Sequence, residues 1–244
     1  MEPRCLECAG DADGLCPPLP PGLGRCVVCR GPAHARFLRC FHCARHWRSA
    51  PGLLADVVVP LSYSIPGTVH AHRLRLYKSR APCRQEARTA LRRLLLVFLR
   101  DHGRCLWASA GVTAPSHVAV VPSGCGRPGQ HPLRALVEPD LALPWAVLAA
   151  APGEPVQARE FGTGRFRAAA PLPGATVLLL DDTWASGSSA QSAAAALRLA
   201  GARSVVTAVL GRHISTAHPL AGSFFPALAG RHFRPDRCAV HEAA

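Results

Sequence analysis

The sequence is poor in acidic residues, in lysine and in long apolar runs. Only 15 of its 244 residues are Asp or Glu, and Lys78 is its only lysine. Its apolar runs, such as those at 57–61 and 177–180, are far shorter than the roughly 20 residues needed to cross a bilayer, so no membrane span is predicted. The first residues lack the basic and then apolar start of a secretory signal, so we expect a cytoplasmic protein.

What the sequence does contain is typical of a folded protein with a small accessory module. Hydrophobic residues make up 49% of the chain and charged residues 18%, which excludes wholesale disorder. A length of 244 residues fits one domain with such a module. We place the boundary at residue 50, with a cysteine-rich zinc module in 1–50 and the main domain in 51–244.

Cysteines are concentrated at the start of the chain. Seven of the eleven lie within the first 43 residues, and three pairs have Cys-x-x-Cys spacing. In a reducing compartment this spacing indicates metal ligands, because two turns of two thiolates can surround one tetrahedral ion. We predict that a structural Zn²⁺ is bound by four of them: Cys26, Cys29, Cys40 and Cys43. Whether Cys5 and Cys8 complete a second site stays open, and the scattered thiols are interpreted as buried or incidental: Cys83, Cys105, Cys125 and Cys238.

The basic residues give a formal net charge of +13, and all but Lys78 are arginine. The span 70–104 holds ten of them against only Glu86 and Asp101. A helix through this span places Arg84, Arg88 and Arg92 on one face. Two interpretations stay open: the segment 73–104 binds an anionic partner such as nucleic acid, or it is a solvated basic helix.

From residue 53 onward, segments with strand patterns alternate with segments with helix patterns. The predicted strands are 55–63, 118–121, 175–180 and 204–210, and the predicted helices are 84–101, 133–151 and 188–200. Pro139 and Pro144 are expected to bend the second helix, and 151–173 is expected to be a loop with one short strand. This alternation predicts an α/β fold, a mostly parallel sheet flanked by helices.

The junction between the third predicted strand and the third predicted helix carries the strongest chemical signal. Asp181 and Asp182 end an apolar strand, and the small residues 185–189 follow at the start of a helix. In open α/β sheets, ligands bind at the carboxyl ends of the strands. Backbone N–H groups at a helix N-terminus form a cradle for a phosphate, and the two carboxylates suit sugar hydroxyls. The alternative is that Asp182, Ser186 or Ser188 only caps the helix.

This junction resembles the phosphoribosyl-pyrophosphate signature of type I phosphoribosyltransferases, an apolar strand, an acidic pair and a hydroxyl-Gly-x-hydroxyl loop. The cysteine pairs ahead of it are similar to the zinc-binding N-terminus of the ComF family. Three further segments resemble that family: Cys26-x-x-Cys29 followed by Gly31 and Pro32, the Leu76-Tyr77-Lys78 run, and residues 120–123 where the family has its pyrophosphate loop.

The resemblance implies transfer of ribose 5-phosphate from phosphoribosyl pyrophosphate to a nucleophile, with pyrophosphate leaving. It assigns Asp181 and Asp182 to the ribose hydroxyls and Mg²⁺. The 5-phosphate would be held by the loop residues Ala185, Ser186, Gly187, Ser188 and Ser189. Candidates for the pyrophosphate side are Ser123, Gly124 and Arg127, and Lys78 could reach the site from a hood.

Two functional hypotheses from different classes follow. One is a phosphoribosyltransferase with an unknown acceptor. The other is a non-catalytic module on the same fold that binds nucleic acid or a protein, as a role in DNA uptake and competence would require. The acidic pair and its loop favour the first hypothesis, and the basic segment 73–104 favours the second. The sequence leaves homo-oligomerisation open.

Overall fold

The computed structural model of the protein describes residues 14–123, 130–151 and 160–240. Its helices and strands follow one another along the chain with short connections. In chain order they are α1 (Phe41–Ser49), β1 (Val57–Pro60), β2 (Tyr63–Ser64), α2 (Val69–Leu76), α3 (Arg84–Ala108), β3 (His117–Val120), α4 (Pro132–Val137), β4 (Leu148–Ala150), β5 (Phe166–Ala168), β6 (Thr176–Trp184), α5 (Ser188–Leu199), β7 (Ser204–His213) and α6 (Ala221–Phe224). Two 3₁₀ turns, Glu138–Asp140 and Phe225–Leu228, complete the described elements.

The central sheet is parallel throughout its described strands. Its order is β1-β7-β6-β3, and β2 pairs with the far end of β7. The register sets Val120 beside Leu180 and Asp181 beside Val209. The carboxyl ends of β3, β6 and β7 therefore meet at one edge of the sheet, where the acidic pair lies.

Helices and the segment 26–43, which carries the four clustered cysteines and is called the cysteine segment below, cover the two faces of this sheet. On one face, Leu91 and Leu95 of α3 belong to the same buried cluster as Leu178 of β6. On the other face, alanines of α5 pack with the alternate residue Leu179 and with the four cysteines. Because β6 and β7 are covered on both sides, both are nearly continuous apolar runs, as expected for central parallel strands. The structure confirms the predicted class, a mostly parallel sheet flanked by helices with a cysteine cluster near the N-terminus.

Two predictions about individual elements are wrong. The helix predicted over 133–151 ends at Val137, and residues 148–150 instead form a strand that pairs with Phe166–Ala168. Pro139 and Pro144 explain the early end, since each lacks the N–H that a continuing helix needs. The strand predicted to stop at 180 runs on to Trp184, so the acidic pair lies inside β6 rather than after it. In the described residues, no helix has both the length and the apolarity to cross a membrane.

Candidate functional site

The acidic pair presents its two carboxyls to different surroundings. Successive residues of a strand point to opposite faces of the sheet. Asp182 faces the side covered by α2 and α3, and its side chain is only 10% exposed. Asp181 faces the α5 side and is partly exposed. Placing the pair inside β6 therefore gives each carboxyl its own environment.

Asp182 is held by the two residues that follow α2. The hydroxyl of Tyr77 donates a hydrogen bond to Oδ2 of Asp182, and the ammonium of Lys78 forms an ion pair with the same oxygen. Tyr77 is buried, whereas the Lys78 side chain is 30% exposed. The only lysine of the sequence is thus in contact with Asp182. Sequence reasoning assigned no role to Tyr77, although it adjoins Lys78 and is one of only two tyrosines.

Asp181 resists ionisation in the folded protein. Burial, together with the neighbouring Asp182 carboxylate, raises the pKa of Asp181 to about 8, and Lys78 opposes this shift. A cation or hydroxyl donors beside this carboxyl would favour its charged form and lower its pKa again.

The loop after β6 closes tightly around Gly187. This residue has a φ of +81° and precedes the first residue of α5. A Cβ at this position would lie 2.1 Å from the indole ring of Trp184, so both the backbone conformation and the space require glycine. The Ser186 and Ser188 hydroxyls are buried and 2.9 Å apart, while Ala185 is exposed and Ser189 is partly exposed. The loop therefore sets small residues around the N-terminus of a 12-residue helix.

Only part of the predicted pyrophosphate side can be located. Val121 donates its backbone N–H to the carbonyl oxygen of Leu180, and Ser123 follows two residues later at the same edge of the sheet. Ser123 therefore lies three residues beyond the end of β3, the strand that pairs with β6. Gly124 and Arg127 lie outside the described residues, as do Cys5 and Cys8.

Four buried cysteines converge beside this junction. One sulfur from each of Cys26, Cys29, Cys40 and Cys43 lies within 4.8 Å of the others, and the cluster could hold a metal ion. The Sγ atoms of Cys29 and Cys40 are 3.8 Å apart. Zn–S bonds of about 2.3 Å in a tetrahedral site place neighbouring sulfurs about 3.8 Å apart, so this spacing fits zinc.

The four thiols of this cluster differ in pKa. Hydrogen bonding, first with Cys26 and then with the other two thiols, lowers the pKa of Cys29 well below its usual value. The same contacts, together with burial, raise the pKa of Cys43. Two thiols, Cys26 and Cys29, thus have lowered pKa values and two, Cys40 and Cys43, have raised ones. A metal ion bound by all four sulfurs would replace the protons of all four thiols.

Arg212 connects the cysteine cluster to the loop after β6. Its guanidinium donates hydrogen bonds to the carbonyl oxygens of Trp184, at 3.1 Å, and Ala185, at 2.8 Å. Burial alone would lower the pKa of Arg212, but the Cys29 thiolate and its neighbours outweigh burial and raise it. A Cβ at Gly31 would lie 2.3 Å from this guanidinium, so glycine is needed for the close approach. Sequence reasoning missed Arg212, and the only available signal was an arginine at the end of an apolar strand.

A cleft opens between the cysteine segment and the loop. Its volume is about 790 Å³, and Ala185 and Arg212 form part of its wall. The aromatic side chains of Phe37, Phe41 and Trp47 also line it, and they are 53–71% exposed. The cleft therefore combines apolar rings with arginine next to the candidate phosphate cradle.

Comparisons with known proteins return partial likenesses to solved structures, three of which are described here. No family model and no curated protein matches the sequence. The chain is similar to a purine phosphoribosyltransferase from Pyrococcus horikoshii Ot3, with 15% identity and a TM-score of 0.31 over 55% of this chain and 88% of the other. It is similar to a hypoxanthine phosphoribosyltransferase from Staphylococcus aureus, with 12% identity and a TM-score of 0.32 over 52% and 74%. A phosphoribosylpyrophosphate synthetase from Mycobacterium smegmatis gives 18% identity and a TM-score of 0.30 over 68% and 56%. Since all three TM-scores are far below 0.5, the geometry of the site has to support any proposal by itself.

Proposed function

We propose that this chain is a phosphoribosyltransferase-like protein of the ComF type that binds phosphoribosyl pyrophosphate together with Mg²⁺. The observation that carries the proposal is the junction of β6 and α5. There, two acidic side chains, a glycine-centred turn and a helix N-terminus follow one another at the carboxyl edge of a parallel sheet. Each part suits one part of the ligand: carboxylates for ribose hydroxyls, and backbone N–H groups for the 5-phosphate.

Within this proposal, each residue of the site has a defined role. Asp181 and Asp182 hold the ribose hydroxyls and would also hold Mg²⁺, whose charge would offset part of that on the pyrophosphate. The loop 185–189 holds the 5-phosphate through its N–H groups and serine hydroxyls. Ser123, with Gly124 and Arg127, contacts the pyrophosphate. Lys78 exchanges its ion pair with Asp182 for one with the ligand, which frees the carboxylate for a ribose hydroxyl.

The reaction proposed is displacement at the anomeric carbon of the ribose. The bond from this carbon to the pyrophosphate oxygen breaks, and a bond to the nucleophile of the acceptor forms. The residues named hold charge and orientation and form no covalent bond to the sugar. We infer that the acceptor enters the cleft beside Ala185, because its aromatic walls adjoin the loop that would hold the sugar phosphate.

We also infer that Cys26, Cys29, Cys40 and Cys43 hold a structural Zn²⁺. Four thiolates and one such ion carry a net charge of −2, and the buried guanidiniums of Arg30 and Arg212 supply the matching positive charge. A hydrophobic core alone would be small for this irregular segment, so the ion would contribute much of its stability.

The test of the main proposal is calorimetric titration with phosphoribosyl pyrophosphate in the presence and absence of Mg²⁺. Asp181→Asn combined with Asp182→Asn should weaken Mg²⁺-dependent binding about a hundredfold or more, since each charge-assisted hydrogen bond is worth roughly 1.5–3 kcal/mol. Asp101→Asn is the matched control, an exposed acid on α3 that pairs with Arg100. Unchanged affinity in the double variant would show that the acidic pair is structural.

A second candidate function is a non-catalytic module that binds nucleic acid or a protein in DNA uptake. The exposed arginines of α3 favour it, although Arg92 pairs with Asp140 and Arg100 with Asp101. Replacing Arg84, Arg88 and Arg92 by glutamine should reduce the salt dependence of DNA affinity by about one unit per lost phosphate contact. Salt-sensitive DNA binding by a chain with no affinity for phosphoribosyl pyrophosphate would favour this second function. Size measurements in the same buffers would test for the homo-oligomer that the sequence leaves open.

A further inference from the structure

A second group of metal-ligand side chains lies away from the four-cysteine cluster. His102 and Cys105 are three residues apart on α3, so they share one face of the helix. Cys238 approaches them from the irregular segment that follows residue 228. One ligand atom from each of the three residues lies within 4.8 Å of the other two. Nothing in the sequence spacing of Cys105 and Cys238 predicts that they meet, which is why both are expected from the sequence to be buried or incidental thiols.

Hydrophobic packing and one hydrogen bond hold these three side chains in place. Phe233, Cys238 and Ala239 pack against the buried cluster to which α3 contributes Leu91, Leu94 and Leu95. His102 is 8% exposed, and its Nε2 lies 2.8 Å from the carbonyl oxygen of Pro235. If Nε2 carries the proton in this hydrogen bond, Nδ1 keeps a lone pair for a metal. Histidine ligands commonly donate their second ring N–H to a backbone carbonyl in this way, and the contact fixes the ring orientation.

The donor set selects the class of ion. Two sulfurs and one imidazole nitrogen suit Zn²⁺, whereas Mg²⁺ and Ca²⁺ prefer oxygen ligands. Cys105 and Cys238 are both partly exposed, so an ion from solvent can reach them. Three protein ligands leave the fourth tetrahedral position for water or a small ligand.

We propose that His102, Cys105 and Cys238 form a second Zn²⁺ site, which fastens the segment 229–240 to α3. When the hydrated ion binds, each thiol releases its proton to solvent, two sulfurs and one nitrogen replace water ligands of the ion, the surplus waters return to solvent, and one water can keep the fourth position. No electron is transferred, and the site is independent of the proposed phosphoribosyl pyrophosphate binding.

The experiment is elemental analysis of the full chain after saturation with zinc and removal of excess metal. Cys238→Ser and Cys105→Ser should each lose one zinc per chain relative to the wild type. Cys83→Ser should lose none, because Cys83 is an exposed thiol at the start of α3 outside the group. Equal zinc content in the wild type and in Cys238→Ser would overturn the proposal.

A second measurement needs no variant and therefore does not depend on folding of a mutant chain. Zinc should slow alkylation of Cys105 and Cys238 in the intact protein by at least about tenfold, while Cys83 reacts at the same rate with and without the metal. Equal alkylation rates of Cys105 with and without zinc would contradict the site. A disulfide between Cys105 and Cys238 in protein isolated under reducing conditions would overturn it as well.

Discussion

Replacing Asp181 by asparagine should stabilise the folded protein while it weakens ligand binding. Burial and the neighbouring Asp182 carboxylate raise the pKa of Asp181 to about 8, whereas a carboxyl in an unfolded chain titrates near about 4. The unfolded state therefore loses this proton first, and the free energy of unfolding falls as the pH rises from about 4 to about 8. Asparagine removes that cost because it carries no charge.

The structure sets limits on the size of this effect. At roughly 1.4 kcal/mol per pKa unit, the full difference corresponds to about 6 kcal/mol above about pH 8. Lys78 attracts the charge of Asp181, and solvent reaches the partly exposed carboxyl. Both effects reduce the free-energy cost of ionising Asp181 in the folded protein. We expect a gain of about 1–3 kcal/mol for Asp181→Asn near pH 8, and no gain below about pH 4.

Asp182→Asn is the matched control, and its expected sign is opposite. This carboxylate accepts a hydrogen bond from Tyr77 and pairs with Lys78, so its loss should destabilise the protein by about 1.5–3 kcal/mol. Urea unfolding followed by circular dichroism at about pH 5, about pH 7 and about pH 9 measures both variants. Equal destabilisation by both substitutions, or an Asp181→Asn variant with the pH dependence of the wild type, would contradict the raised pKa of Asp181.

Three further substitutions test the rest of the site. Cys40→Ser should lose about one zinc per chain and lower the melting temperature, and full zinc content with an unchanged melting curve would contradict the cluster. Gly187→Ala should cost about 2–4 kcal/mol in urea unfolding, because it combines a strained φ with a clash against Trp184. Gly52→Ala, with a φ of +79° and nothing within 4 Å of its Cβ, should cost only about 1–2 kcal/mol, and equal costs would show that the Trp184 contact is unimportant. Arg212→Lys should keep its zinc but weaken binding of phosphoribosyl pyrophosphate about tenfold by calorimetry. Unchanged binding would show that the contact of Arg212 with the loop after β6 does not affect the ligand.

Local patterns were enough to predict the elements that meet at the site. The apolar run before Asp181 predicted β6, and the alanine-rich segment after Gly187 predicted α5 almost to its bounds. The cysteine spacing predicted a cluster that the structure brings together. Each of these signals lies within a few residues of the chain, where backbone preference and side-chain chemistry act together.

Partners that come from distant parts of the chain could not be predicted in the same way. Tyr77 reaches Asp182 because α2 packs against the sheet, and Arg212 reaches Ala185 because β7 pairs with β6. The extension of β6 past the acidic pair also depends on tertiary structure, since β7 supplies partners for Thr183 and Trp184. Strand pairing overrode the local expectation that the strand ends where its apolar run ends.

Arg212 makes the cysteine segment and the candidate phosphate loop parts of one structure. Its guanidinium hydrogen-bonds two carbonyl oxygens at the end of β6, and its positive charge is stabilised by the Cys29 thiolate. A buried guanidinium is costly without such partners, so the cluster and the loop each help to satisfy the same group. A metal ion on the four cysteines would fix the sulfurs and, through Arg212, the loop carbonyls. The position of the cysteine segment is therefore linked to the shape of the loop by a direct physical contact.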